Sequence, residues 1–255
     1  MSQVPRRSAQ HAHYQKTKFW RWDDADERRS NLFREFIAPG SLVFDVGANA
    51  GGKSKIFLKL GARVVAFEPQ DLCAAPLASA LAEEEAFTLV RKALGASEGR
   101  TQMLISEVSA LSTLSREWID AARRSGRLRE WSWGATQWVD VTTLDRAIQA
   151  FGRPDFVNID VEGFELEVLL GLSAPVPSLC LRFACEFLDR AWRCIDHLQS
   201  MCEATKFQIA LGDDDEFDLA RWVPASIARA TLAELVDGNE LASGSIFARM
   251  KSQQS

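Results

Sequence analysis

The sequence has no long apolar run, and its first residues lack an apolar core. Every apolar run falls well short of the roughly 20 residues that a membrane-spanning helix needs, so we expect no membrane association. Residues 1–18 are polar and basic, which predicts that they are not a secretory signal. Together these absences predict a cytoplasmic protein.

An excess of positive charge and paired cysteines are also missing. Lys and Arg number 30 against 35 Asp and Glu, and the formal net charge is −5. This composition argues against a nucleic acid as the partner, because phosphate backbones are bound by clusters of Lys and Arg. The five cysteines form no C-x-x-C pair, so we predict reduced thiols and no metal site.

What is present is a chain of 255 residues, 47% of them hydrophobic, which suffices for one well-packed domain with a small appendage. Strand-like apolar runs alternate with helical stretches from residue 41 onward. We predict strands at 41–46, 62–69, 86–95, 154–163, 178–187, 206–211 and 243–250, and helices at 53–61, 164–172 and 189–202. This alternation predicts an α/β fold with a mostly parallel, doubly wound sheet.

The first 40 residues form the appendage. Acids crowd the first turn of residues 23–37 and an apolar stripe follows, which predicts a short N-terminal helix. Pro39 and Gly40 end this helix. We therefore expect a tail and helix over residues 1–40 and one main domain over residues 41–250.

A tryptophan-rich stretch interrupts the alternation. Residues 107–138 contain Trp118, Trp131, Trp133 and Trp138 and fit no simple strand–helix unit. Trp131 and Trp133 are separated by one residue, so in an extended segment both rings would face one way. Flat indole faces suit sugar rings and other large acceptors. We predict an insertion that forms a substrate lid, with tryptophans that merely fill the core as the alternative.

Residues 47–54, GANAGGKS, allow two interpretations. They match the P-loop pattern G-x-x-x-x-G-K-[ST], and read from Asp45 they also fit a strand–loop–helix that holds S-adenosylmethionine (SAM). Asp45 would repel a triphosphate but suits the cationic methionine end of SAM. Glu68, at the end of the second strand, is placed to accept hydrogen bonds from ribose hydroxyls. Asn49 stands where a dinucleotide site needs glycine, so the pattern favours SAM.

Five motifs carry a resemblance to a known family. FDVGANAGGKS, AFEPQ, ALGASEGRTQML, VTTLDRAI and VNIDVEGFELEVLLGL, in this order, resemble the FkbM family of SAM-dependent methyltransferases over residues 41–211. The resemblance implies a class I, Rossmann-like methyltransferase with a seven-stranded sheet. It also implies transfer to hydroxyl oxygens of sugars or polyketide-like metabolites. One position departs from the family, which commonly has Lys where this chain has Asn158.

Candidate site residues follow from the carboxyl ends of the predicted strands, where ligands of α/β sheets bind. We expect the cofactor to contact six residues, namely Asp45, Gly47, Asn49, Gly51, Glu68 and Asp160. Asp160, Glu162 and Glu186 are the candidate catalytic carboxylates, because a hydroxyl acceptor must lose its proton. Glu162 could instead cap the following helix, and Glu186 could be a salt-bridge partner. Lys53 is expected to face solvent.

The main hypothesis is therefore O-methylation of a small or carbohydrate-like molecule. An N-methyltransferase acting on nucleic acid or on a small molecule is an alternative. Such enzymes acting on nucleic acids usually carry Asn/Asp-Pro-Pro-aromatic after the fourth strand, whereas residues 160–163 here read Asp-Val-Glu-Gly. A non-catalytic SAM-binding protein and a P-loop nucleotide triphosphatase are further alternatives.

Overall fold

The protein is described here from a computed structural model, which covers residues 19–212, 216–239 and 242–250. The strands of these residues, numbered in chain order, are β1 (Leu42–Val46), β2 (Arg63–Phe67), β3 (Phe87–Val90), β4 (Ala93–Leu94), β5 (Gly99–Ile105), β6 (Ala135–Thr142), β7 (Phe156–Ile159), β8 (Ser178–Ala184), β9 (Lys206–Leu211) and β10 (Ser243–Arg249).

The helices of the same residues are α1 (Asp24–Phe33), α2 (Gly52–Lys59), α3 (Asp71–Ala80), α4 (Arg116–Ser125), α5 (Leu144–Phe151), α6 (Glu165–Leu170), α7 (Leu188–Met201) and α8 (Ala225–Val236). Short 3₁₀ turns lie at Ser109–Leu111 and Cys185–Phe187. None of these helices is long and apolar enough to cross a membrane.

Seven strands form the central sheet, in the order β3-β2-β1-β7-β8-β10-β9. The pairs from β3 to β8 are parallel, and β10 runs antiparallel to both of its neighbours. The strand order reverses between β1 and β7, and crevices at such a reversal bind ligands in open α/β sheets. The predicted mostly parallel, seven-stranded α/β fold is confirmed.

Helices cover both faces of this sheet. One hydrophobic cluster packs α5, α6, α7 and α8 on one face, and a second packs α1, α2 and α3 on the other. Of the strands between the two clusters, β1 and β7 are buried along their whole length. This explains why those strands do not alternate between apolar and polar residues and contain one polar residue each, Asp45 and Asn158.

A small second sheet, in the order β4-β6-β5, differs from the sequence-based expectation. The single strand predicted over 86–95 is in fact two strands, because Arg91 and Lys92 separate β3 in the large sheet from β4 in the small one. β5 pairs antiparallel with β6 over seven residues on each strand. The stretch 107–138 thus contains a 3₁₀ turn, α4 and the start of β6.

The N-terminal helix is part of the core. Asp23 caps α1 by accepting a hydrogen bond from the Asp26 N–H, and Asp26 forms an ion pair with the buried Lys55 of α2. Phe33 is fully buried, and its ring lies edge-on to Phe57, with centroids 5.0 Å apart. Of the appendage predicted over residues 1–40, α1 is packed against the main domain, and the tail over residues 1–18 lies outside the described residues.

Phe33→Ala tests this packing. We expect the substitution to lower the free energy of unfolding by about 3–5 kcal/mol, because it leaves a cavity among buried aromatic rings. The matched control is Ile227→Ala in α8, whose side chain is 45% exposed and which should change stability by less than about 1 kcal/mol. Urea unfolding of both variants measures the difference, and equal losses would contradict the packing role of α1.

Candidate active site

A cavity lies at the carboxyl ends of β1, β2 and β7, at the reversal of strand order. It contains about 660 Å³ of empty space, part of it open to solvent, within the roughly 300–1,000 Å³ typical of small-molecule sites. Its polar walls are Gly47, Asn49, Glu68, Gln70, Ser109, Ser112, Asp160 and Glu162. Its apolar walls include Phe67, Pro69, Leu94, Met103, Leu114 and Phe164. We call it the cofactor cavity.

Gly47 makes the closest approach in this cavity. It has φ +81°, and a Cβ at this position would collide with the carbonyl oxygen of Asp160. Only glycine therefore allows the loop after β1 to lie against the turn after β7. Asn49 follows with φ +49°, a left-handed conformation that asparagine tolerates better than most residues.

Glu68 fixes the other side of the loop. Its carboxylate accepts hydrogen bonds from the Asn49 N–H at 2.7 Å and from the Gln70 N–H at 2.7 Å. Burial raises the pKa of Glu68 to about 7 despite these two donors. The side chain is thus held at the cavity wall, where the sequence predicts a ribose contact.

Gly51 lies outside the cofactor cavity. It precedes α2 with φ +82°, and a Cβ there would come within 2.6 Å of both Phe19 and Leu77. Its lack of a side chain serves the packing of the N-terminal segment and α3 against the loop. The contact with the cofactor predicted for Gly51 finds no support in this position.

Asp45 is also placed differently from the expectation. It is 1% exposed and does not line the cavity, because its oxygens accept hydrogen bonds from Ser54 Oγ at 2.5 Å and Asn158 Nδ2 at 2.7 Å. Asp45 and Asn158 are paired in register on β1 and β7, so their side chains share one face of the sheet. Burial raises the pKa of Asp45. The residue links β1 to α2 and β7 through these hydrogen bonds, and its predicted contact with the methionine end of SAM stays a prediction.

Lys53 does not face solvent, which corrects the expectation. Its side chain is 18% exposed, and Nζ lies 3.1 Å from Asn158 Oδ1 and 3.4 Å from Asp160 Oδ2. Side chains of helices lean toward the helix N-terminus, and this carries the ammonium of a first-turn residue over the strand ends. Lys53 and Ser54, the Lys and Ser of the P-loop match, thus donate hydrogen bonds to side chains of this protein. The ammonium of Lys53 lies beside Asn158, the position where the FkbM family commonly has Lys.

The turn after β7 brings Asp160 and Glu162 to the cavity wall. Glu162 has φ +51°, so the backbone is not extended there. Burial, and then the nearby charges of Asp160 and Glu165, raise the pKa of Glu162 to about 8. Glu162 lines the cofactor cavity and two neighbouring cavities, which makes it the residue where these spaces meet.

Glu165 is a structural residue of this turn that the sequence analysis does not single out. Its Oε1 accepts hydrogen bonds from the backbone N–H groups of Val161 and Gly163, at 3.3 and 3.2 Å. Glu165, and not Glu162, therefore satisfies the backbone before α6. The sequence does contain a signal for this role of Glu165, because acids are favoured in the first turn of a helix. Burial raises the pKa of Glu165 to about 7.

Glu186 is not brought to the cofactor cavity. β8 ends at Ala184, and Glu186 lies in the following 3₁₀ turn, where its carboxylate accepts a 2.7 Å hydrogen bond from Arg127 Nε. Its side chain is 3% exposed. A carboxylate so buried and paired is a salt-bridge partner, and its predicted catalytic role is not supported by its position.

The tryptophans of residues 107–138 do not act alike. Trp118 is buried against Gly163 and meets Trp133 edge-on, with ring centroids 6.1 Å apart. Trp133 Nε1 donates to the carbonyl of Leu111 at 2.7 Å. Trp131 and Trp138 are 39% and 56% exposed. Trp118 and Trp133 therefore pack within the fold. The lid function of residues 107–138 stays a prediction.

Gln70 and Ser109 are cavity residues that the sequence analysis does not identify. Gln70 Nε2 donates to the Ser109 carbonyl at 3.0 Å, and Ser109 Oγ donates to Asn49 Oδ1 at 3.2 Å. These hydrogen bonds connect the 3₁₀ turn at 109–111 to Gln70 and Asn49, which also line the cavity. Gln70 Oε1 is buried and has no hydrogen-bond partner among the described residues. Over that same part of the chain, no cluster of three His, Cys, Asp or Glu is placed to hold a metal ion.

Gly47→Ala tests the close approach. We expect it to destabilise the protein by more than the about 1–2 kcal/mol that a left-handed alanine costs, and to abolish binding of S-adenosylhomocysteine. Gly52→Ala is the matched control, because nothing lies within 4 Å of its added Cβ. Thermal unfolding and calorimetric titration measure both effects. A Gly47→Ala variant that binds as well as Gly52→Ala would refute the geometry.

Comparison with known proteins gives one family. The model of the FkbM methyltransferase domain matches residues 45–187. No curated protein sequence matches the chain.

Similar solved structures are distant. A precorrin-6y C5,15-methyltransferase from Geobacter metallireducens is 12% identical, with 87% of each chain covered and a TM-score of 0.44. An rRNA methylase from Streptococcus thermophilus is 12% identical, with 88% of this chain and 94% of that chain covered and a TM-score of 0.41. A T. thermophilus 16S rRNA methyltransferase in complex with AdoMet and guanosine is 13% identical, with 91% and 44% covered and a TM-score of 0.41. At this identity, the acceptors of those enzymes say nothing about the acceptor of this chain.

Proposed function

Because the chain belongs to the family of FkbM-domain methyltransferases, its cofactor is SAM, and we propose that it methylates a hydroxyl oxygen of a small, carbohydrate-like or secondary metabolite. The observation that carries the proposal is the position of Glu162, an acid with a raised pKa at the meeting point of the cofactor cavity and two further cavities.

The residues of the cofactor cavity fit SAM. Glu68 holds a carboxylate at the wall that suits ribose hydroxyls, and the buried Gln70 Oε1 offers an acceptor without a partner among the described residues. Apolar side chains, among them Phe67, Leu94 and Met103, provide apolar walls for an adenine ring. Asp160 and Asn49 remain for the methionine end. When bound, SAM supplies a methyl group on a sulfonium, which is already a good leaving group.

What this chain contributes is orientation and a proton acceptor. A hydroxyl is a weak nucleophile until its proton is removed, and a base with a pKa near the working pH does this best. Glu162 satisfies that condition, so we assign it the role of accepting the acceptor's proton. Asp160 is assigned a positioning role, because the ammonium of Lys53 lies 3.4 Å from its carboxylate. Holding the two reactants together supplies the rest of the acceleration.

A hydroxyl acceptor is favoured over an amine of a nucleobase for two reasons. The turn after β7 reads Asp-Val-Glu-Gly, with carboxylates rather than a proline-aromatic platform on which a base would stack. The formal net charge of −5 also gives no general attraction for a phosphate backbone. Nucleic-acid methylation is the second candidate and is decided by the acceptor experiment below.

The pH dependence of turnover tests Glu162. Since its pKa is about 8 in the folded protein, it is mostly protonated at pH 7 and becomes a base as the pH rises. We expect kcat at saturating SAM to rise with pH and to level off above about pH 8. Glu162→Gln should lower kcat by about 10²–10⁴-fold and remove this rise. The exposed Glu98→Gln should leave the profile unchanged, and an unchanged profile in Glu162→Gln would remove the base role.

Acceptor class is tested with methyl-tritiated SAM. We expect label to enter the small-molecule fraction of a metabolite extract and to survive conditions that release esters, as an ether does. Total RNA incubated in parallel should stay unlabelled. Label that enters only the RNA would overturn the proposed acceptor while leaving the methyltransferase assignment intact.

A further inference from the structure

A second cavity shares Asp160 and Glu162 with the cofactor cavity. It contains about 580 Å³ of empty space, part of it open to solvent. The remaining walls come from Arg29 of α1, Arg182 of β8 and residues of α2, namely Gly52, Lys53 and Ile56. We call this space the basic basin. Its contact with Glu162 places it where an acceptor must lie if Glu162 removes the acceptor's proton.

The charge of the basic basin differs from that of the whole protein. Three basic side chains, on three different elements, face two carboxylates, which leaves a local formal charge of +1. The chain as a whole carries −5. A raised pKa at Glu162 makes the local charge more positive still at neutral pH. A cleft with a net positive charge attracts ligands of negative charge.

None of the three basic side chains is fully exposed. Arg29, Lys53 and Arg182 are all partly buried, whereas basic residues on a solvated face extend into water. Lys53 donates to Asn158 and Asp160. Arg29 and Arg182 line the basic basin and not the cofactor cavity. Planar guanidinium groups match carboxylates and phosphates in geometry.

We infer that the methyl acceptor carries an anionic group, a carboxylate or a phosphate, which Arg29 and Arg182 bind in the basic basin. The inference rests on the proposed function and specifies the class of its substrate. The anionic end lies at the arginines, and the hydroxyl to be methylated lies at Glu162. This division separates recognition, by the cations, from proton removal, by the carboxylate.

Two other sources of negative charge are less consistent with the geometry. The carboxylate of SAM belongs with the methionine end in the cofactor cavity, and neither arginine lines that cavity. A phosphate backbone needs a continuous basic surface, whereas here the cations line one cavity together with two carboxylates. Both sources are outcomes that the experiment separates.

The experiment uses the full chain saturated with S-adenosylhomocysteine and titrates it by calorimetry with three matched probes. These are glucose, glucuronate and glucose 6-phosphate, and inorganic phosphate serves as the isolated anion. We expect both acidic sugars to bind at least about tenfold more tightly than glucose. Arg29→Gln and Arg182→Gln should each abolish most of that preference, and the exposed Arg146→Gln should preserve it.

Arg182 also donates to the Gly212 carbonyl at 2.8 Å, so Arg182→Gln could disturb the fold. Arg29→Gln is therefore the decisive variant, and thermal unfolding of both variants is measured alongside. Affinity for S-adenosylhomocysteine should stay within about twofold of wild type in Arg29→Gln.

Each of the following results would overturn the inference. Equal binding of the neutral and acidic sugars, or no binding of any of them, removes the anionic acceptor. A loss of S-adenosylhomocysteine affinity in Arg29→Gln assigns the basin to the cofactor's own carboxylate. If short single-stranded RNA competes for the basic basin and the sugars do not, the basin is a site for nucleic acid. Methylation of a neutral metabolite would sink this inference while leaving the proposed function standing.

Discussion

The site depends on one close approach, in which the backbone at Gly47 lies against the carbonyl of Asp160. β1 and β7 are neighbours in the sheet, and each leaves it at the same edge, where the strand order reverses. A side chain at position 47 would force the loops after these two strands apart. Because Gly47 has none, both loops form walls of one cavity, and Asp160 and Glu162 reach the same space as Asn49 and Glu68.

A chain of hydrogen bonds beneath this contact holds the two strand ends together. Ser54 donates to Asp45, Asn158 donates to Asp45, and Lys53 donates to Asn158 and Asp160. The buried carboxylate of Asp45 would be costly without these donors. The first turn of α2 is thereby tied to both β1 and β7. The same residues that match a P-loop in sequence serve an internal network here, because their donors are engaged by side chains of the protein.

Much of the central sheet could be predicted from the sequence, because strands such as β1 and β7 are buried along their whole length and are apolar except for one residue each. The predicted strand 206–211 coincides with β9, and 41–46 differs from β1 by one residue. Helices α3 and α8 were not predicted, since DLCAAPLASA and ASIARATLAELV are rich in small or apolar residues on several faces. Helix α4 had a usable signal, because Trp118 and Ile119 lie one turn before Ala122, but the neighbouring tryptophans suggested an insertion instead.

The residue types of the candidate site could be predicted from the sequence, but the directions of some of their side chains could not. Strand ends rich in carboxylates indicated the edge of the sheet where the cavity lies, and Gly47, Asn49, Glu68, Asp160 and Glu162 line that cavity. Asp45 turned inward because register with Asn158 fixes the face of its side chain, which one sequence alone does not reveal. Glu186 lies beyond the end of β8 and pairs with Arg127, a partner 59 positions away in sequence.

A crystal structure with S-adenosylhomocysteine bound tests the central claim most directly, which is that the cofactor cavity and the acceptor space meet at Glu162. The account predicts ribose hydroxyls within hydrogen-bond distance of Glu68, and a sulfur atom facing the opening beside Glu162. A ribose away from Glu68, or a sulfur turned away from Glu162, would contradict it.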